Sequence, residues 1–352
     1  MLIDVIGLCV TARNENYIKS ALAGWGEEGP CTVIGHSAPA SAAAAAFVNG
    51  TAAHGEDFDD TFEGGPVHAG AVIVPAVLAI CEQQQAERLS PLLGIAVGVE
   101  VLCRLSLVVP KAIHRAGFHP TAVLGTMAAA AGVGVALRLK PEQMVNALGI
   151  AGSMAGGIIE YLAEGAWTKR LHPGWAAQSG LRAALLGRAN FVGPRTVFEG
   201  THGLFHGFAH TQEGDYAALL GDFGERWVTE TLAFKPYPCG TMIHPYIDCA
   251  RRLAAKGIAV EDTSQMVTRL VRQHQRQSIF CDGRVSDQTS INPHEPRRPK
   301  SPGLGINRWR LPKQFIGHFG KCAMEFLEQV RQHASTTLLR TPARKYLLHR
   351  PI

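Results

Sequence analysis

Aromatic residues make up only 7% of this 352-residue sequence, which weighs against a sandwich of short, aromatic-rich strands. Of the eight cysteines, no two stand as Cys-x-x-Cys and none shares a zinc-finger spacing with a histidine. Neither a disulfide framework nor a structural zinc is signalled. Charge is missing from the stretch Thr121 to Leu137, but it is rich in Ala and Gly and slightly short of the ~20 residues a bilayer span needs. It reads as a buried helix. The amino end, Met1 to Leu8, is apolar but carries Asp4 and no basic region, unlike a secretory signal, so a cytoplasmic protein with no membrane partner is expected. What the sequence does have is 46% hydrophobic content, enough for a sizeable core. Small residues in place of aromatics favour closely packed helices, and the expected fold class is all-α.

The formal net charge of +5 conceals an asymmetry. Residues 1–250 carry 15 Lys+Arg against 22 Asp+Glu, whereas residues 251–352 carry 19 against 7. The basic residues of that tail are scattered, without the interleaved aromatics that base stacking uses, and no nucleic-acid partner is expected.

Against this background the acidic groups are concentrated. The eight residues His54 to Thr61 hold four carboxylates, Glu56, Asp57, Asp59 and Asp60, and His68 follows. Like charges this close are tolerable only if solvated, paired with cations, bound to a metal or partly protonated. Apolar segments on both sides, Ser41 to Ala53 and Ala69 to Glu87, read as buried helices, the second interrupted by Pro75. The acidic stretch is therefore expected as a loop held by a rigid scaffold, a common place for function.

Further helices are expected from Ser90-Pro91 to about Leu105, after His119-Pro120, from Lys140-Pro141, from Ala176 to Asn190, and from Pro245 to Lys256. Polar side chains gather in the loops between them: Asp57 to His68, His119, Lys169-Arg170, and Lys235 to His244. Carboxylates and imidazoles that can move protons, and ammonium groups that can hold an anion, thus lie on separate loops. If the loops converge, they form a site for a small polycarboxylate. Beyond about Val267 the apolar periodicity lapses, Asn292 to Gly303 reads as a linker or a disordered stretch in a partly disordered tail, and one amphipathic helix is expected near residues 315–334.

The segments Asn49-Gly50-Thr51-Ala52-Ala53-His54, Asp57-Phe58-Asp59-Asp60-Thr61, His68, Gly117-Phe118-His119-Pro120-Thr121, Thr168-Lys169 with Leu171-His172, and Lys235-Pro236-Tyr237-Pro238 carry a resemblance. In order and separation they resemble the MmgE/PrpD family over roughly residues 1–265. That family includes 2-methylcitrate dehydratase, cis-aconitate decarboxylase and iminodisuccinate epimerase. The resemblance implies a large all-helical domain, a smaller α+β lid domain, a homodimer, and proton movement beside a carboxylate without metal or organic cofactor. It implies further that Asp57, Thr61, His68, His119, Lys169 and Lys235 line the pocket. Lys169 and Lys235 would hold substrate carboxylates and stabilise enolate-like charge. His119 would transfer the proton, with Asp57 orienting a neighbour or poising its pKa.

Two departures accompany the resemblance. In the decarboxylase branch a histidine follows the second lysine by five positions, where this chain has Gly240 and His244 is the nearest substitute. Family members also carry a helix before the segment that starts here at Met1, and none of the lid domain is recognisable after about residue 266. The expectation is a helical domain over 1–266 and an atypical tail over 267–352, as a truncation or frame shift would give.

Other readings of the same residues remain. Asp57-Phe58-Asp59-Asp60 on an Ala-rich helical chain is similar to the Mg²⁺-diphosphate site of terpenoid synthases, and the unusual tail suits a non-catalytic remnant. His54 can be a core hydrogen-bonder, His68 can satisfy loop carbonyls, Asp59 and Asp60 can be helix N-terminal charges, and Lys169-Arg170 can be a solvated pair.

Overall fold

The computed structural model describes residues 1–87 and 90–257, and the backbone of two three-residue strands beyond them. It divides into two compact units, Met1–His244 and Pro245–Ile352. The linker expected at Asn292 to Gly303 and the helix expected near 315–334 lie outside the described residues.

The first unit is helical. It opens with α1 (Leu2–Ala12) and α2 (Asn16–Gly24), followed by α3 (Ala42–Gly55), the strand β1 (Asp60–Phe62), α4 (Gly70–Gln83) and α5 (Ser90–Val108). Next come α6 (Ala112–Arg115), α7 (Pro120–Ala136), α8 (Pro141–Met154), α9 (Tyr161–Glu164) and α10 (Thr168–Arg188). The unit finishes with α11 (Leu204–Ala209), α12 (Tyr216–Leu220) and the strand β2 (Leu232–Phe234). In the second unit α13 (His244–Ala254), which begins on the boundary residue, is followed by strands β3 (Val267–Arg269) and β4 (Ile306–Arg308), which pair antiparallel.

Helices α3, α4, α7 and α10 form the centre. Every residue of α3 is buried, as are nearly all of α7. A helix apolar on all sides can only sit inside a core. Ser41 starts α3 by accepting the Ala44 N–H at 3.1 Å, the cap its residue type favours. The close approach of α3 to α10 depends on two glycines: a methyl group on Gly174 would fall 2.1 Å from the Phe47 carbonyl oxygen, and one on Gly50 would fall 2.8 Å from Gly174 Cα. No side chain fits at that crossing.

Two helices differ from expectation. α4 runs through Pro75 without a break, although that ring leaves the Ala71 carbonyl without its usual donor. α10 begins at Thr168, eight residues before the expected start, and runs through Pro173. Lys169 and Arg170 therefore belong to the first turn of a helix, not to a loop. The packing of α10 on α3 and α7 outweighs one lost hydrogen bond at Pro173.

α5 is long and apolar enough to cross a membrane, yet it holds a buried ion pair. Arg104 Nε lies 2.6 Å from Glu100 Oε1, and both side chains are buried. Arg104 also reaches Asp222 Oδ1 at 2.8 Å and the Arg226 carbonyl at 2.6 Å. Glu100 accepts the N–H groups of Val228 and Thr229, each at 3.1 Å. Two charges inside one helix thus fasten the segment 218–229 that leads into β2.

Candidate active site

The acidic loop is shaped from its first residue. The Asp57 N–H donates to the His54 carbonyl at 3.0 Å, and Asp57 takes φ 52°, in the left-handed region that Asp tolerates better than most residues. The chain turns there and enters β1. This strand pairs antiparallel with β2 in the register Asp60↔Phe234, Thr61↔Ala233, Phe62↔Leu232. Continued by one residue, the register sets Lys235 opposite Asp59. A ribbon of three residue pairs therefore brings a lysine to carboxylates some 176 positions away.

Lys235 is fully engaged by the loop. Its ammonium lies 2.6 Å from Asp57 Oδ1, 2.9 Å from Asp59 Oδ1 and 3.1 Å from the Asp57 carbonyl. Three acceptors match its three protons. Lys169, from the first turn of α10, meets the other Asp57 oxygen at 2.8 Å and is the more open of the two lysines. Arg170 donates to the Gly55 carbonyl at 2.8 Å and lies 4.7 Å from the centre of the Tyr17 ring. It fixes the end of α3 and is not a solvated charge.

Four imidazoles converge beside these charges. The His54 and His68 rings are 5.0 Å apart, His54 and His119 5.7 Å, and His119 and His172 5.3 Å. His54 donates Nδ1–H to Asp59 Oδ2 at 2.6 Å, and its buried Nε2 has no partner among the described residues. His68 Nδ1 is 2.7 Å from the Asp60 carbonyl. A carbonyl only accepts, so Nδ1 carries the proton and the neutral ring holds its lone pair at Nε2. The His68 backbone N–H donates to Thr121 Oγ1 at 3.2 Å. His119 precedes Pro120 at the start of α7, and its backbone N–H donates to the Gly157 carbonyl at 2.8 Å.

Burial and charge act against each other here. Burial raises the Asp57 and Asp59 carboxyls, but their neighbours outweigh it: Lys169 and Lys235 for Asp57, and His68, His54 with its Nδ1–H bond, and Lys235 for Asp59. Both carboxyls end well below the usual range. Lys235 would be lowered by burial, yet Asp59 and Asp57 raise it. Asp60 moves the other way, to about 7, through burial and the neighbouring Asp59, despite accepting the Ala69 and Gly70 N–H groups at 2.9 and 2.8 Å. Burial lowers His68 and His172 to about 4 and depresses His119 strongly. These three rings are neutral at pH 7.

The residues expected from the sequence divide accordingly. Asp57, His68, His119, Lys169 and Lys235 come together. Thr61 lies in β1, half-buried, opposite Ala233. His244 packs edge-on against Tyr237 at 5.3 Å and bonds the Cys239 carbonyl at 3.2 Å, both in its own loop. Asp60 is a helix-terminal charge, as read. Asp59 is not: it is the buried anchor for His54 and Lys235. His54, His172 and Tyr161, whose ring packs edge-on against both His119 and His172, were not assigned to the site from sequence. His54 and His172 do stand in the quoted motifs, which is the signal that marked them.

His54, Asp59 and His68 can each bring one ligand atom within 4.8 Å of the others. As arranged, Asp59 Oδ1 faces the Lys235 ammonium at 2.9 Å and Oδ2 accepts the His54 Nδ1–H at 2.6 Å, so this carboxylate is set for an ion pair. The same holds for a diphosphate-metal reading of the aspartates, since Asp57 and Asp59 face ammonium groups and Asp60 faces backbone N–H groups.

The profile of the MmgE/PrpD N-terminal domain matches residues 1–217. The chain is 31% identical over 239 residues to a cis-aconitate decarboxylase-like protein of Aspergillus oryzae, covering 64% of this chain and 49% of that protein. It is 29% identical over 258 residues to the cis-aconitate decarboxylase of Aspergillus terreus, covering 69% and 51%. To the human cis-aconitate decarboxylase it is 33% identical over 211 residues, covering 58% and 43%. The chain spans about half the length of the curated relatives it matches.

Proposed function

Because the chain belongs to the MmgE/PrpD family, we propose that it is a lyase-type enzyme acting on a small di- or tricarboxylate by proton transfer beside a carboxylate. The observation that carries this reading is the juxtaposition of buried neutral imidazoles with lysines on the acidic loop. His68 presents a lone pair at Nε2, and His119 lies 6.5 Å from it, ring centre to ring centre. Such groups can take a proton and return it, each contributing about 10²–10⁴-fold where geometry is right. Lys169 is the cation placed to meet an incoming carboxylate, exchanging Asp57 for substrate. Its charge also stabilises the enediolate-like state that forms when an adjacent proton or carboxyl group leaves. Lys235 serves the site differently, by holding Asp57 and Asp59 ionised and in place.

The named relatives make cis-aconitate the first substrate to try. Its decarboxylation breaks one C–C bond, releases CO₂, leaves the electron pair in a dienediolate, and requires a proton delivered to carbon. Nε2 of His68 or His119 would take that proton from water as the anionic substrate binds and deliver it to the carbon. Gly240, where the decarboxylase branch carries histidine, favours the dehydratase-like alternative, in which a proton and a hydroxyl leave neighbouring carbons of 2-methylcitrate or citrate. A homodimer and a cytoplasmic setting accompany this reading.

The test is proton NMR of the purified chain in D₂O with cis-aconitate, 2-methylcitrate, citrate and iminodisuccinate, with EDTA throughout and Lys169→Ala as control. Product or deuterium incorporation, lost in the control, supports the proposal and identifies the substrate. No exchange from a well-folded sample overturns it in favour of a non-catalytic remnant of the family.

A further inference from the structure

His172 stands on α10, three residues after Lys169, and its Nδ1 lies 3.1 Å from Nδ1 of His119. Both rings are buried. Two neutral imidazoles can meet nitrogen to nitrogen only if one Nδ1 carries a proton and the other a lone pair. The backbone builds this meeting. Gly157, at φ 121°, receives the His119 N–H on its carbonyl, and a methyl group there would sit 2.7 Å from Ala122 Cβ and 3.3 Å from the His172 ring. Tyr161 closes the other side, its ring 6.1 Å from His119 and 5.7 Å from His172.

Of the two proton arrangements, only one leaves His119 able to work. If His172 donates, His119 has its Nδ1 lone pair occupied and its Nε2 protonated, and it has no position left to accept a proton. If His119 donates, its Nε2 holds the lone pair. Protonation at Nε2 then gives an imidazolium whose Nδ1–H already points at an acceptor, and the same bond persists when the proton is returned. We propose that His172 is the positioning residue for His119, accepting its Nδ1–H and thereby fixing the tautomer that exposes a basic Nε2. His172 itself then carries its proton at Nε2. His68 reaches the same tautomer by a different route, through the Asp60 carbonyl, so both imidazoles present Nε2.

The groups facing the pair are His54 from α3, His68 from the loop before α4, Lys169 from α10 and Tyr161 from α9. Lys169 bears the fixed positive charge among them, and a nearby cation favours a lone pair over an N–H on the ring it faces. The choice of His119 as donor rests on the function proposed above, in which that ring moves the proton; the spectra that test it need no turnover.

The test uses the full chain labelled with ¹⁵N-histidine. Long-range ¹H–¹⁵N spectra at pH 7 read which nitrogen of each ring is protonated, with assignments from single His119 and His172 substitutions. Protonated Nδ1 on His119 and protonated Nε2 on His172 are expected. In His172→Phe, His119 should lose this preference and populate the Nε2–H form. His172→Asn, whose amide oxygen can stand where Nδ1 stood, should retain it. With cis-aconitate or whichever substrate turns over, His172→Phe should lower kcat by roughly 10–100-fold, the order seen when the partner that orients a metal-ligating histidine is removed. KM should change little, and His172→Asn should recover much of the rate. An Nε2–H tautomer on His119 in the unaltered chain, or one unaffected by His172→Phe, overturns the proposal. Absence of turnover in the unaltered chain would count against the function alone, since the spectra decide the tautomer by themselves.

Discussion

Replacing Lys235 by methionine tests whether the site is held by charge. The ammonium is fully buried, 2.6 Å from one carboxylate oxygen of Asp57 and 2.9 Å from one of Asp59. At an effective dielectric constant of about 20, each contact is a gross attraction of about 6 kcal/mol, most of which desolvation offsets. What matters is the remainder left by deletion: removing one partner of a buried ion pair costs about 3–5 kcal/mol, because the other charge stays behind. Two carboxylates stay behind here, and only Asp57 retains a lysine. Lys235→Met is therefore expected to lower stability by about 3–5 kcal/mol, or a melting temperature by something on the order of 10 °C. Urea melts followed by circular dichroism measure it. The double variant Lys235→Met/Asp59→Asn removes the stranded charge and should recover at least half the loss, so the two single effects will not add. A Lys235→Met chain that melts with the parent, or a strictly additive cycle, would refute the account of the site as an ion-pair network.

Other consequences follow from the same geometry. Histidine proton shifts followed by NMR should show His68 and His172 staying neutral down to about pH 5 and titrating near 4. Since the unfolded rings protonate near 6.5, each withdraws stability as pH falls from 6.5 towards 4, up to about 3 kcal/mol. Asp60, raised to about 7, acts in the opposite direction, since its folded form gains protons first. Asp60→Asn should accordingly steepen the loss between pH 7 and 5 in urea melts. Gly174→Ala places a methyl group 2.1 Å from the Phe47 carbonyl, and a loss of about 1–3 kcal/mol or more should appear in the same melts. Arg104→Met strands Glu100 in α5 and should cost about 3–5 kcal/mol. Limited proteolysis should then show cleavage within 218–229, the segment that Arg104 and Glu100 hold.

The helices were legible because their signals are local. Ser41 capped α3 as a serine should, prolines stood at the start of α7 and α8, and the Ala-rich runs were buried on all faces. The start of α10 was not, because Pro173 is a local stop signal that tertiary packing overrides. In the acidic loop the difficulty is finer. Asp59 and Asp60 are adjacent and chemically alike, yet one ends buried against His54 and Lys235 and the other on the N–H groups of Ala69 and Gly70. Successive residues of β1 point to opposite sides, so the assignment depends on the strand. Three residues pairing with Leu232–Phe234 leave no periodic trace in either segment. The partnership of His119 with His172 is likewise a matter of two helix ends meeting, which spacing cannot express.

The ribbon of β1 and β2 also orders events in time. A chain is made from its amino end, and α3, α4, α7 and α10 are complete by residue 188, well before residue 235 is added. Up to that point Asp59 has its histidines but no ammonium, and so lacks one of the groups that hold its carboxyl low. Balance arrives only when residues 232–234 lie down beside 60–62 and carry Lys235 in with them. Three residue pairs thus tie the helical scaffold to a segment made later: the pocket has its full set of charges only when Lys235 is in place.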